Sequence, residues 1–218
     1  MSTNDVISIT QLQKHFGNRT IIQSATMGLD MGCKVALIGD NGAGKSTFLK
    51  MIAGMIPIDG GNIAIRQGTR IGFLPQVPEF PDTMTVHQAL SEPFAELREA
   101  IDAYTHAAAN DADKAHAYLE KIEQLGGWQW EHHIERIAKD LHINDMDALL
   151  AVQSGGYRKR VALACLWLRS PDVLLLDEPT NHLDVYAVNW LEDWLLQMPS
   201  AAIIVTHDRY FLENVVTR

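Results

Sequence analysis

Nine consecutive residues carry the plainest chemistry in this sequence: Gly39-Asp40-Asn41-Gly42-Ala43-Gly44-Lys45-Ser46-Thr47. Gly39, Gly44, Lys45 and Ser46 fit the spacing of a phosphate-binding loop, a glycine, four residues, then Gly-Lys-Ser/Thr. Glycines let the backbone wrap a phosphate chain with its N–H groups pointing inward, and a following helix adds the positive end of its dipole. The Lys45 ammonium can reach outer phosphates. The Ser46 hydroxyl offers an oxygen to Mg²⁺, a hard cation. From average residue usage, chance produces this pattern in a chain of this length on the order of once in a hundred. The flanks lower that further. Val35-Ala36-Leu37-Ile38 is predicted to be a buried strand, and Phe48 to Ala53 the start of a helix. Binding of a nucleoside triphosphate follows.

Two acids make the second chemical signal. Asp177 and Glu178 follow the apolar run Val173-Leu174-Leu175-Leu176, which puts them at the carboxyl end of a parallel strand, where open α/β sheets bind ligands. Single acids there are mostly solvated strand ends. Beside a phosphate loop, one can hold Mg²⁺ through water and the other can polarise an attacking water. His207 ends another apolar run, Ala202 to Val205, at the same edge. Most lone histidines are structural, but this one is placed to meet a γ-phosphate. Ser154-Gly155-Gly156 opens a predicted helix and forms a second anion-binding device, weak by itself because Ser-Gly-Gly is usually only a cap.

The elements that must position these groups are short. Val6 to Thr10, Thr20 to Ser24 and Lys34 to Ile38 read as strands, with a Gly17-Asn18 turn between the first two and Phe16 just before it. Gly60-Gly61 reads as a turn, Asn62 to Arg66 and Arg70 to Leu74 as strands, and Gln76 lies in a proline-bounded loop. Thr85 and Gln88 form a capping-box pattern. Val86, Leu90, Phe94, Leu97, Ile101 and Tyr104 then recur at helical spacing, with a kink expected at Pro93. A polar break from Asn110 to Asp113 leads to a second helix that Gly126-Gly127 stops. Trp130, Ile134, Ile137 and Leu141 mark a third. A helical hairpin inserted in an α/β frame is expected, its apolar stripes being packing faces.

Composition is that of an ordinary globular protein, 47% hydrophobic and 21% charged over 218 residues. A net charge of −9 gives no general attraction to phosphate backbones, so any nucleic-acid contact needs a local patch. Cys33 and Cys165 stand far apart in apolar surroundings, as buried free thiols do. Met1 to Asp5 lacks the regions of a signal peptide, and no apolar run reaches membrane-spanning length. These features point to a reducing, cytoplasmic setting.

At these residues the chain resembles the nucleotide-binding domains of the ATP-binding cassette (ABC) superfamily. The resemblance covers essentially the whole sequence, with every motif in the family order. It implies a P-loop NTPase of the ABC type, α/β, with a RecA-like parallel sheet core and an antiparallel β subdomain. A helical subdomain at roughly 82–150 would carry an inserted arm, all within one domain spanning 1–218. ATP and Mg²⁺ are the implied cofactors. The loop Gly39 to Thr47, including Asn41, Gly42 and Thr47, matches the phosphate site, and Phe16 falls where the family keeps an adenine-stacking aromatic. Gln76 matches the lid-loop glutamine, so Ser46, Gln76 and Asp177 fall toward the metal. Glu178 matches the catalytic glutamate and His207 the switch histidine. Asn181-His182-Leu183-Asp184 matches the dimer-interface loop, and Ser154-Gly155-Gly156 the signature loop, which completes the site of a partner cassette.

The branch is legible as well. Glu178-Pro179-Thr180-Asn181-His182-Leu183-Asp184, Thr206-His207-Asp208-Arg209-Tyr210-Phe211-Leu212 and Ser154-Gly155-Gly156-Tyr157-Arg158-Lys159-Arg160 resemble ABC-F proteins, soluble factors with two cassettes in one chain. Those proteins carry an arm in the interval that here runs 78 positions from Gln76 to Ser154. Leu125 through Glu131 is similar to the Uup-like branch. Three departures stand out. Gln153 replaces the usual Leu before the signature serine. The sequence holds one cassette and stops at Arg218, as an N-terminal half would. Residues 86–127 carry eight acids and three bases, a poor match to an RNA surface. The implied partners are a second cassette, in the same full-length chain or a second copy, and the ribosome with its rRNA. A DNA-linked ATPase is the alternative. A transporter engine is the less favoured one, because of the insert and the Asn-His-Leu-Asp loop.

Overall fold

Period-two alternation near the N-terminus builds a long hairpin. In the computed structural model, which describes residues 5–108 and 111–217, it is formed by β1 (Asp5–Phe16) and β2 (Arg19–Asp30). Met1 to Asn4, Asn110 of the expected polar break and Arg218 lie outside the described residues. Phe16 pairs with Arg19 across the two-residue Gly17-Asn18 turn. Gly17 has φ 56°, the positive value such turns require. Both strands run well past the Val6–Thr10 and Thr20–Ser24 cores expected for them.

β3 (Lys34–Ala36) leads through the phosphate loop into α1 (Lys45–Ile52). β4 (Gly60–Ile65) then joins the free side of β1, giving the antiparallel order β2-β1-β4. The Gly60-Gly61 pair is therefore strand, not the turn expected. The register slips between Thr10↔Asn62 and Gln13↔Gly60, and Gln11 takes φ 49° and Gly61 φ 80°. A Cβ on Gly61 would stand 2.2 Å from the Gln11 carbonyl oxygen. Close backbone approach at a bulge, not chain reversal, explains the glycine.

β5 (Ile71–Leu74), β6 (Val173–Asp177) and β7 (Ala201–Val205) complete a parallel sheet of order β3-β7-β6-β5. The two inner strands are buried throughout, which is why they read as unbroken apolar runs. β3 lies at the edge of that order. The expected buried strand Val35–Ile38 accordingly ends at Ala36, and Ile38 is 77% exposed. One core joins Ile7, Ile9 and Leu12 of β1 to Phe48, Leu49 and Ile52 of α1 and to Val173, Leu175 and Ile203 of the parallel strands. Each such side chain, fully buried, contributes about 1.5–3 kcal/mol. This packing fixes the helix on which the phosphate loop ends.

The chain divides into two compact units, Met1–Pro78 with Ser170–Arg218, and Glu79–Arg169. The first also holds α7 (Val185–Gln197) and α8 (Arg209–Val215). In the second, α2 (Val86–Ser91) starts at the capping box: Gln88 N donates to Thr85 Oγ1 at 3.2 Å and Thr85 N to Gln88 Oε1 at 2.9 Å. Thr85→Ala is expected to lower stability by about 1 kcal/mol in urea unfolding, with Thr85→Ser near wild type. Pro93 does more than kink the helix. It sits in a 3₁₀ turn, Glu92–Phe94, before α3 (Ala95–Ala108). Asp111 caps α4 (Ala112–Gln124), which ends on Gly126 and Gly127 at φ 107° and 79°. α3 and α4 form a hairpin with a small core of Leu97, Ala100 and Ile122, joined by Phe94 and Trp130. α5 (Trp130–Asp140) and α6 (Gly155–Arg169) follow. Both cysteines are free. Cys165 is buried, which pushes its thiol up to about 12, whereas Cys33 is only half-buried, against the expectation.

Candidate functional site

Consecutive strand residues point to opposite faces of a sheet. Asp177 and Glu178 would therefore diverge if β6 simply continued. Instead Glu178 takes φ 47°, a left-handed conformation that costs a residue with a side chain about 1–3 kcal/mol. Its N–H donates to the Val205 carbonyl at 2.7 Å, which anchors the irregularity to β7. Both carboxylates consequently line one cleft, while remaining only 3% and 7% exposed.

The opposite wall is the phosphate loop. Gly42 and Gly44 take φ 78° and 96°. Gly44 is the N-cap of α1, and a Cβ there would stand 2.4 Å from Ile21 Cγ2. Lys45 Nζ donates to the carbonyls of Gly39 at 2.6 Å and Asp40 at 2.9 Å, so the ammonium lies across the mouth of the loop that would wrap phosphate. Asn41, Gly42, Gly44, Lys45, Ser46 and Thr47 face Gln76, Asp177 and Glu178 across a cavity of about 380 Å³.

His207 bridges the two walls. Its Nε2 lies 2.9 Å from Asn41 Oδ1 and 3.4 Å from Glu178 Oε1. The turn that presents it is pinned on both sides: Asp208 N donates to Thr206 Oγ1 at 3.2 Å, and the Asp208 carboxylate caps α8 by accepting from Phe211 N at 3.1 Å.

The remaining candidates lie outside the cavity lining. Phe16 ends β1 at the hairpin tip, 51% exposed. Asp184 caps α7, accepting from Ala187 N at 2.8 Å. Ser154, Gly155 and Gly156 belong to the second unit, where Ser154 Oγ accepts from Tyr157 N at 3.2 Å at the start of α6. Two lining residues, Ile21 and Val205, were not among the candidates read from the sequence. Ile21 reaches the cleft because β2 packs against Gly44, a tertiary contact with no local mark. Val205 was findable, since it ends the strand just before His207 at the ligand-binding edge.

A phosphate loop between a parallel strand and a helix, faced by two acids at the end of another parallel strand, defines a P-loop nucleotide-binding protein. The family model described as "ABC transporter" matches residues 22–181, and the chain belongs to that family through its ATP-binding cassette. It is 41% identical over 207 residues to the "Energy-dependent translational throttle protein EttA" of Haemophilus influenzae, covering 90% of this chain and 37% of that protein. It is 34% identical over 218 residues to the EttA of Mycobacterium tuberculosis, covering 96% of this chain and 39% of that one. The chain thus spans under two fifths of the relatives it matches. These relatives agree with the ABC-F resemblance of the motifs. The solved ATP-binding subunit of an ABC transporter superposes with a TM-score of 0.74 over 97% of this chain and 83% of that one, at 22% identity, a likeness of fold. Among the described residues no helix is long and apolar enough to cross a membrane.

Proposed function

We propose that this chain is an ATP-hydrolysing ABC-F cassette of a cytoplasmic, ribosome-associated translation factor, which changes state when ATP is cleaved. The observation that carries the hydrolytic part is the convergence of Lys45, Ser46 and Gln76 with Asp177 and Glu178 on one cleft. Lys45 and the loop amides, with Gly39, Asn41, Gly42, Gly44 and Thr47, hold the phosphates. The Ser46 hydroxyl, the Gln76 amide oxygen and the Asp177 carboxylate are hard oxygen donors. Few protein ligands, with phosphate and water completing the shell, is the donor set Mg²⁺ prefers, so the residues fit that ion. Mg²⁺ would supply neutralisation of phosphate charge. Glu178 orients and polarises the attacking water, and His207, within reach of Glu178, faces the γ-phosphate. Phe16 stacks on the adenine. Ser154, Gly155 and Gly156 complete the site of a second cassette, with Asp184 at the interface between the two.

The translational role rests on the relatives, whose names speak of an energy-dependent translational throttle, and on the ABC-F motifs. The acidic stretch 86–127 argues that rRNA contact, where it occurs, is not spread along the arm. Co-sedimentation tests the role. The Glu178→Gln chain with ATP is expected in the ribosomal pellet, and with ADP in the supernatant. Equal partition in both nucleotides, or ATP-dependent retention by duplex DNA instead, would contradict it.

A further inference from the structure

Phe16 is not an isolated ring on a hairpin tip. Lys14 lies two residues before it, on the same face of β1, and its Nζ stands 5.3 Å from the ring centroid. This lysine is 5% exposed, an unusual state for a residue so near a turn. Its ammonium is held in place. It donates to the Pro57 carbonyl at 2.8 Å and to Asp59 Oδ1 at 3.0 Å. Asp59 Oδ2 accepts from His15 N at 2.7 Å, and Asp59 N donates to the Gln13 carbonyl at 3.0 Å. The segment before β4 is therefore stitched to the end of β1, residue by residue, on either side of the lysine. These hydrogen bonds also hold the Asp59 carboxyl below the usual carboxylate range, the bond from the His15 amide being the largest cause and that from Lys14 the next.

We propose that Lys14, fixed by Asp59 and Pro57, is a positioning residue that braces one face of the Phe16 ring so that the other face receives the nucleotide base. The proposal rests on Phe16 stacking the adenine, and adds the residue that sets the platform. Two effects favour it. The faces of an aromatic ring and of a base are both electron-rich, which opposes direct stacking. A cation against the far face draws density away from the near one. The brace also restricts the ring before the base arrives, so less freedom is lost on binding. The competing account is that Lys14 merely staples the 57–59 segment to β1.

Inorganic tripolyphosphate separates the two, because it occupies the phosphate loop and has no base. Dissociation constants for Mg²⁺-ATP and Mg²⁺-tripolyphosphate are to be measured on the 218-residue chain and four variants. Phe16→Ala is expected to weaken ATP about tenfold or more and leave tripolyphosphate unchanged. Lys14→Met is expected to weaken ATP about three- to tenfold, again with tripolyphosphate unchanged. Lys14→Gln keeps a hydrogen-bond donor without the charge and should behave as Lys14→Met, which guards against a folding defect in the latter. Lys14→Arg keeps the cation and should bind ATP like wild type. Equal weakening of both ligands by the Met and Gln variants would make Lys14 a staple and overturn the proposal, as would unchanged ATP affinity in both. Unchanged ATP affinity in Phe16→Ala would instead remove the base-stacking role itself.

Discussion

The Glu178→Gln chain will bind ATP about as tightly as wild type and hydrolyse it about 10²–10⁴ times more slowly. Glutamine keeps the size and a carbonyl oxygen, but it cannot take charge or accept a proton. Glu178 is the acid proposed for that work. It sits in a left-handed backbone conformation that turns it onto the same cleft as Asp177, within 3.4 Å of His207. Such strain persists only where the surroundings over-determine it, and here the Glu178 N–H is bonded to Val205. Binding should survive because Lys45, Ser46 and the loop glycines are untouched. Single-turnover hydrolysis beside equilibrium binding of a fluorescent ATP analogue reads the two effects separately. Turnover at the wild-type rate would remove Glu178 from the catalytic role. Lost binding would mean that the acid supports the cleft and does not act on water.

The second large effect is on stability. Gly61→Ala is expected to destabilise the first unit by about 2–5 kcal/mol, from the clash with Gln11 and the positive φ together. Gly68 supplies the control. It has φ 82°, and nothing lies within 4 Å of where its Cβ would be. Gly68→Ala therefore carries only the conformational part, about 1–2 kcal/mol. Urea unfolding of the two variants gives the difference directly. Equal losses would mean that β1 and β4 do not approach closely at the bulge. A large loss at Gly61 alone ties the antiparallel sheet to the stretch that also presents Lys14 and Phe16.

The candidate site residues that line the cleft were legible for a physical reason: their chemistry is local in sequence. A loop that wraps phosphate does so within nine residues, and an acid pair after four apolar residues announces a strand end. What depends on distant partners was not legible. Gly60-Gly61 signals either a turn or a close approach, and only Gln11 on the neighbouring strand decides between them. An apolar run such as Val35–Ile38 does not say whether it lies inside a sheet or at its edge. β1 extends further than expected because polar residues, Gln11 and Lys14, interrupt its alternation of apolar types. The sequence shows Glu178 beside Asp177, but not the backbone turn that brings both acids to one cleft. Ile21 needed the packing of the hairpin against Gly44 before it counted as part of the site.

In the proposed function, Gly39–Thr47, Gln76, Asp177, Glu178 and His207 form one side of a hydrolytic site that a second cassette closes. Steady-state ATP hydrolysis measured across a wide range of chain concentrations tests it most directly. Slow hydrolysis is expected, with a rate that rises more than linearly with protein concentration. A rate strictly proportional to concentration, at high specific activity, would contradict it.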